Sequence, residues 1–237
     1  MKKKFFPVVF IWIITFPALS QKRYTPEEVT DQKYGINIYD RLNARIGGDS
    51  TRNCKGYACE GWVADFYTAG AILHKGYYVE GQLKIYQNFY QNGQMEREFK
   101  ILDDYKCAMT VYHKDGKIKS EIKYVDGSPV KWEDFYSSGK PEYFEEFAKK
   151  GYYLAQKSFF ENGLPQETLE LVNKKKLIYS KKEFFENGKI KMEGETVYNE
   201  DLLDYQRSGK WSYFDEKGNV TKEEFYINGK INDEKNY

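Results

Sequence analysis

Reactive side chains are few and scattered in this 237-residue chain. There are two histidines, His74 and His113, and three cysteines, Cys54, Cys59 and Cys107. A Ser/His/Asp or Cys/His site needs one of those histidines beside a nucleophile. No G-x-S-x-G elbow, phosphate loop or dinucleotide fingerprint accompanies either. Zinc wants Cys and His in close clusters, and both histidines lie far from any C-x₂-C pattern. Glu98, Glu121, Glu193 and Glu223 could supply the two carboxylates of a glycosidase, which must lie about 5 or about 6.5–9.5 Å apart. Each of the four stands five residues after a glycine that itself recurs. A position that follows a repeat reads as a cross-strand partner for lysine, because a unique active site breaks a repeat. The residues therefore point to a non-enzyme with no catalytic set, no metal and no cofactor.

The elements that carry these residues are copies of one unit. Glycines close F-Y-T-A-G at 66–70, F-Y-Q-N-G at 89–93, V-Y-H-K-D-G at 111–116 and F-Y-S-S-G at 135–139. They also close F-F-E-N-G at 159–163 and 184–188, Y-F-D-E-K-G at 213–218 and F-Y-I-N-G at 225–229. Gly70, Gly93, Gly116, Gly139, Gly163, Gly188 and Gly218 are spaced by 23, 23, 23, 24, 25 and 30 residues, and Gly229 follows after 11. A second turn signal falls about midway, as at Gly81, Asp104, Gly127, Gly151 and Asn173. One period is thus two short strands and two turns. The third and seventh units carry one residue more between aromatic pair and glycine, which a bulged loop accommodates with Tyr112 still opposite Ile118.

Asn-Gly between apolar runs predicts a type I′ hairpin, with Glu186 facing Lys189 and Phe185 facing Ile190. Alternation then sorts the side chains by face. Ile72, Met95, Ile118, Pro141, Pro165, Ile190, Val220 and Ile231, two residues after each glycine, fall on the apolar face with Ile122 and Tyr124. Tyr67, Tyr90, Tyr136, Phe160, Phe185 and Tyr226 join them, and so does His74, while His113 abuts the third hairpin loop. The residue before each of those six aromatics is Phe: Phe66, Phe89, Phe135, Phe159, Phe184 and Phe225. These point to the charged face. They form either a ladder packed under lysine stems or a strip that binds a partner.

The unit aromatic-aromatic-x-N-G-x-apolar, recurring over residues 61–232, resembles the bacterial variant of the MORN repeat. More narrowly, the chain resembles exported YwqK-type proteins, a family labelled as toxin–antitoxin antitoxins. The resemblance implies an all-β, elongated antiparallel β-meander of about eight hairpins, a protein partner and, by the family label, a toxin as that partner. Only G-Y-A-C-E-G-W at 56–62 approaches the better-known Y-x-G-x-W form of the repeat, so a lipid-binding role does not carry over.

Residues 1–20 read as a secretory signal: Lys2, Lys3 and Lys4, an apolar stretch from Phe5 to Leu19, and Ala18-Leu19-Ser20 before the cut. That stretch is short for a membrane anchor and carries Pro7 and Pro17. Residues 21–60 read as an N-terminal cap segment, partly helical, with Thr25-Pro26-Glu27-Glu28 as a helix start and Gly47-Gly48 as a stop. Residues 61–237 are the repeat array. Export permits a disulfide, and Cys54–Cys59 is the local pair. Cys107 lies four strands, or about 19 Å, beyond Cys59 at about 4.8 Å per strand, outside the reach of a disulfide.

Composition agrees with this reading. Lys and Arg number 37 against 36 Asp and Glu, for a net charge of +1. Loss of three lysines with the signal leaves −2. Neither value supplies the basic field that nucleic acid requires. Aromatics make up 18% of the chain, and no run after residue 20 is long enough to span a bilayer. The expectation is an exported, periplasmic or surface protein that binds a protein, with self-association through exposed edge strands as a further possibility. A cell-envelope glycan-binding module or carbohydrate-active enzyme is the alternative.

Overall fold

A computed structural model describes residues 22–30 and 36–237. The proposed signal, residues 1–20, lies outside the described residues. In chain order the elements are β1 (Arg23–Tyr24), α1 (Pro26–Thr30), α2 (Ile38–Arg41), β2 (Asn53–Cys54), β3 (Tyr57–Ala58), β4 (Gly61–Tyr67), β5 (Ile72–Val79), β6 (Gln82–Phe89), β7 (Met95–Ile101), β8 (Lys106–Tyr112) and β9 (Ile118–Val125). They continue with β10 (Ser128–Phe135), β11 (Pro141–Phe147), β12 (Tyr153–Phe159), β13 (Pro165–Asn173), β14 (Ile178–Phe184), β15 (Ile190–Asn199), β16 (Asp204–Phe214), β17 (Val220–Ile227) and β18 (Lys230–Asn236). Strands β4 to β18 pair antiparallel in sequence order, and β1 adds a parallel edge to β4, giving one open 16-stranded sheet. The all-β meander of hairpins predicted from the repeat is what the chain forms.

The hairpins use two kinds of turn, and this corrects the predicted register. At the seven glycines from Gly70 to Gly218 the loop is a type I turn followed by glycine in the left-handed region. At the sixth, Phe185 N–H donates to Lys189 O and Gly188 N–H to Phe185 O. Gly188 sits at φ 83°, but Asn187 does not reach positive φ. Its Oδ1 instead accepts from Lys189 N–H at 2.9 Å. One residue of the following strand then bulges, so Phe184, not Phe185, faces Ile190. At the opposite end Glu80-Gly81, Asp126-Gly127 and Asn228-Gly229 form type I′ turns with positive φ at both residues, while the Gly151 loop repeats the bulged pattern. Gly229 therefore belongs to the other end of the sheet. The third and seventh loops hold no extra residue, because His113 and Asp215 take the place of Tyr90 and Phe185 in the same hydrogen-bond pattern.

The bulge also changes faces. Directly paired residues share a face, so Ile72 goes with Phe66 and Ile118 with Tyr112, away from Ile122 and Tyr124. Ile72 and Ile118 are exposed, whereas Ile122 and Tyr124 are buried.

Residues 36–58 do more than guard the first edge. Tyr39 and Leu42 pack on the inner face of β4–β9, against Val63, Tyr78, Tyr86, Phe99, Met109 and Ile122. Short helices explain how so brief a segment does this. Thr25 Oγ1 accepts from Glu28 N–H while Glu28 Oε2 accepts from Thr25 N–H, a capping box that starts α1. Gly47, at φ 87°, ends the 3-10 turn Ala44–Ile46. Among the described residues the inner face beyond β9 has no such cover and packs in small groups, such as Met192, Trp211 and Tyr226. There Trp211 lies flat over Gly194, where a Cβ would come within 2.4 Å of the indole.

Candidate functional site

The outer face carries one stripe that the bulged register creates. Seven cross-strand pairs follow one another along the sheet: Phe66–Ile72, Phe89–Met95, Tyr112–Ile118, Phe135–Pro141, Phe159–Pro165, Phe184–Ile190 and Phe214–Val220. All fourteen side chains are apolar or aromatic, and none is fully buried. At about 4.8 Å per strand the aromatic members recur about every 10 Å over about 60 Å. Five of the six phenylalanines picked out by the repeat, Phe66, Phe89, Phe135, Phe159 and Phe184, lie together in this stripe. Phe225 does not: it sits toward the type I′ end, opposite Asp233, and is exposed. Tyr112 and Phe214 complete the row in its place, and their pairing across the bulge is the signal that the aromatic-pair motif hides.

Beside the stripe runs a polar row. Gln87, Glu98, Thr110, Glu121 and Glu133 face one another across consecutive strands, and Lys182, Glu193, Ser212 and Glu223 do the same farther on. Lys182 meets Glu193 at 3.1 Å, and Lys210 meets Glu223. Glu98 accepts from Gln87 at 3.1 Å and pairs with Lys100. Glu193 and Glu223 thus hold the cross-strand lysines that recurrence predicts, whereas the lysine of Glu98 lies on its own strand and Glu121 stands opposite Glu133 and Thr110.

Behind the stripe, on the inner face, a ladder of side-chain donors ties the first five hairpins together. Tyr67 Oη donates to Phe89 O at 2.9 Å, Tyr90 to Tyr112 O at 2.7 Å and Tyr136 to Phe159 O at 2.6 Å. His113 fills the missing rung, its Nε2 donating to Phe135 O at 3.0 Å. Phe160 and Phe185 hold the same position without a donor.

The other histidine lies in a buried polar cluster. Arg52 grips Asp65 with two hydrogen bonds of 2.6 and 2.7 Å, and Tyr39 Oη donates to Asp65 Oδ2 at 2.7 Å. His74 Nε2 meets Tyr78 Oη at 2.9 Å, and its Nδ1 meets Asn88 Oδ1 at 2.7 Å. Burial pushes His74 down to about 4. Burial alone would raise Asp65, but the Arg52 hydrogen bonds and charge outweigh it and hold the carboxyl below its usual range. Burial, reinforced by the Asp65 charge, pushes Tyr39 well above the usual phenol range. The cluster contains no Ser or Cys nucleophile and His74 does not hydrogen-bond Asp65. What it does is pin residues 39 and 52 to strands β4 and β5. Sequence reasoning overlooked Arg52 and Asp65; the available signal was an acid between Val63 and Tyr67 on an inward-facing row.

Cys54 and Cys59 form a disulfide with Cα atoms 5.0 Å apart, and Cys107 is buried and free. Among the described residues no group of three or more His, Cys, Asp or Glu could hold a metal ion. No helix among them is long and apolar enough to cross a membrane. The last strand, β18, is exposed along its whole length.

An open sheet of stacked hairpins with a solvent-facing apolar stripe defines a β-repeat protein. The family model described as the MORN repeat variant matches residues 108–126, 181–198 and 207–228. Each stretch spans one bulged hairpin, around Gly116, Gly188 and Gly218. No curated protein matches the chain. Among solved structures, TarM is similar over 58% of this chain at 17% identity with a TM-score of 0.29. A mutant of S. aureus TarM in complex with fondaparinux, alpha-GlcNAc-glycerol and UDP is similar over the same share at 16% identity and a TM-score of 0.29. This chain spans 22% of the length of each.

Proposed function

We propose that this chain is a non-enzymatic, exported repeat scaffold that binds a protein partner along its outer apolar stripe. The carrying observation is the stripe: fourteen apolar or aromatic residues in seven consecutive pairs, left solvent-accessible on a sheet face that no other element among the described residues covers. Contiguous exposed apolar surface of this kind marks interaction sites. MORN repeats are protein- or membrane-binding modules, which supports the same reading. The antitoxin label of the YwqK resemblance would make the partner a toxin neutralised outside the inner membrane.

The test is affinity capture from the native envelope with the wild-type chain and with Phe135→Ser/Phe159→Ser. A partner at fixed stoichiometry that is lost with the variant supports the proposal. A partner retained equally by a folded variant overturns it. If that partner is no toxin, the antitoxin reading alone fails.

One observation favours the glycan alternative. Aromatics on every second strand, about 10 Å apart, match the length of a disaccharide in an extended β-1,4-linked chain. Co-sedimentation of the wild type, but not of the double variant, with peptidoglycan would select that reading over the protein partner.

A further inference from the structure

Above the inner face, where α1 and the start of α2 cross the first three bulged loops, lies a groove of about 790 Å³. That size fits a small-molecule site. Val29 and Ile36 form its apolar walls, Tyr67 and Tyr90 its aromatic lining, and Glu96 joins them with Lys114. Glu96 is the bulged residue of β7, since Met95 pairs with Phe89 and Arg97 with Asn88. The bulge turns its carboxylate inward, where it is 7% exposed.

The charge around Glu96 does not balance. Among the described residues Arg97 is the sole cation paired to it, with Nε on Oε2 at 2.9 Å and Nη2 on Oε1 at 3.2 Å. The same guanidinium also serves Asp40, through Nη1 on Oδ2 at 2.7 Å. Among the described residues two carboxylates therefore share one guanidinium: Glu96 is largely desolvated, while Asp40 is about a third exposed and also accepts from Tyr86 Oη. Lys114 is exposed, so solvent and salt screen its charge, while the buried acid is screened much less. Both tyrosines register the carboxylate: burial first and the Glu96 charge second push Tyr67 up to about 12 and raise Tyr90.

Aromatic rings beside a buried carboxylate make a receptor for a soft, weakly hydrated cation, which gains from ring faces and from the unbalanced charge together. We propose that this groove binds a small organic ammonium ion of the trimethylammonium type. Apolar Val29 and Ile36 suit the methyl groups. A bare metal ion would find one carboxylate already engaged by Arg97, with only neutral oxygens from Thr30, Asn37, Gln91 and Asn92 around it. The site is separate from the stripe, on the other face of the sheet, so it stands independently of the partner reading.

The experiment is calorimetric or NMR titration of the folded chain with choline and with 3,3-dimethylbutan-1-ol, its uncharged isostere. Choline is expected to bind at least about tenfold more tightly, and Glu96→Gln to abolish that preference. Because Glu96→Gln also disturbs Arg97, Lys114→Gln provides a second arm. It sits at an exposed turn, leaves the ion pairs intact, and is expected to tighten choline binding severalfold and weaken its salt dependence. Equal binding of the two compounds, no choline binding to the wild type, or a preference unchanged in both variants overturns the proposal.

Discussion

Tyr39 stacks on His74 with ring centroids 3.7 Å apart and planes 8° from parallel. That contact joins the N-terminal segment to the first hairpin, and burial favours the neutral imidazole there. Arg52 and Asp65 are the charged groups facing His74 from the adjoining elements, and Tyr39, Tyr78 and Tyr86 are its aromatic neighbours. His74 titrates near 4 when folded and near 6.5 when unfolded. The unfolded chain therefore takes up the proton first as pH falls. The stability that neutral His74 contributes is complete above pH 6.5 and is lost progressively toward pH 4. Between pH 7 and pH 5 the loss should be about 2 kcal/mol. Urea midpoints at the two pH values measure it, and His74→Gln should remove most of the difference. Asp65, held low when folded, adds its own loss only at still lower pH.

The Arg52–Asp65 pair predicts a non-additive double mutant. Asp65 is fully buried and Arg52 nearly so. Removing one partner strands the other charge and should cost about 3–5 kcal/mol. Arg52→Met alone should therefore expose residues 36–58 to proteolysis. Arg52→Met with Asp65→Leu should recover much of the loss, because an apolar pair of similar volume leaves no charge uncompensated. If the double variant is as unstable as the sum of the singles, the pair is not coupled as its geometry requires.

The cysteines predict a labelling pattern. With Cys54 bonded to Cys59, and Cys107 buried beneath Arg45, the native chain should take up no alkylating label. Denaturation alone should add one label, at Cys107, and denaturation with reductant three. Intact-mass spectrometry reads each step, and a native chain labelled at Cys107 would contradict its burial.

The parts of the fold legible in the sequence are those that repeat. The 23-residue period predicts the sequential antiparallel strand order and the positions of most turns, though it counts Gly229 with the wrong set. The turn chemistry was not legible from Asn187-Gly188, because Asn-Gly serves a type I′ turn and also a type I turn with a left-handed glycine. Only the backbone of Asn187 separates the two, and the bulge that follows moves Ile72 and Ile118 to the opposite face. Phe225 illustrates the complementary point. F-Y-I-N-G looks like its predecessors, yet its glycine follows Gly218 by half a period, which places it at the other end of the sheet. Arg52 and Asp65, and the shared guanidinium of Arg97, are single contacts between non-repeating and repeating segments. Periodicity carries no information about them.

The hydroxyl ladder predicts a stabilising substitution. Tyr67, Tyr90, His113 and Tyr136 each donate to a carbonyl in the following hairpin, 22 or 23 residues ahead. Phe160 stands at the equivalent place in the fifth hairpin, and the equivalent acceptor is Phe184 O. Phe160→Tyr places a hydroxyl where the preceding rungs have theirs, on a half-buried ring that already packs there. A net hydrogen bond contributes about 0.5–1.5 kcal/mol, or roughly 1–6 °C in Tm for a chain of this size. Tyr136→Phe is the reciprocal change and should lower Tm by a similar amount, leaving Phe159 O without its donor. Repeat arrays are held by nearest-neighbour interfaces, so the two changes, in successive hairpins, should be close to additive. A Phe160→Tyr chain that melts no higher than wild type, beside a destabilised Tyr136→Phe chain, would show that the fifth hairpin departs from the geometry of the first four.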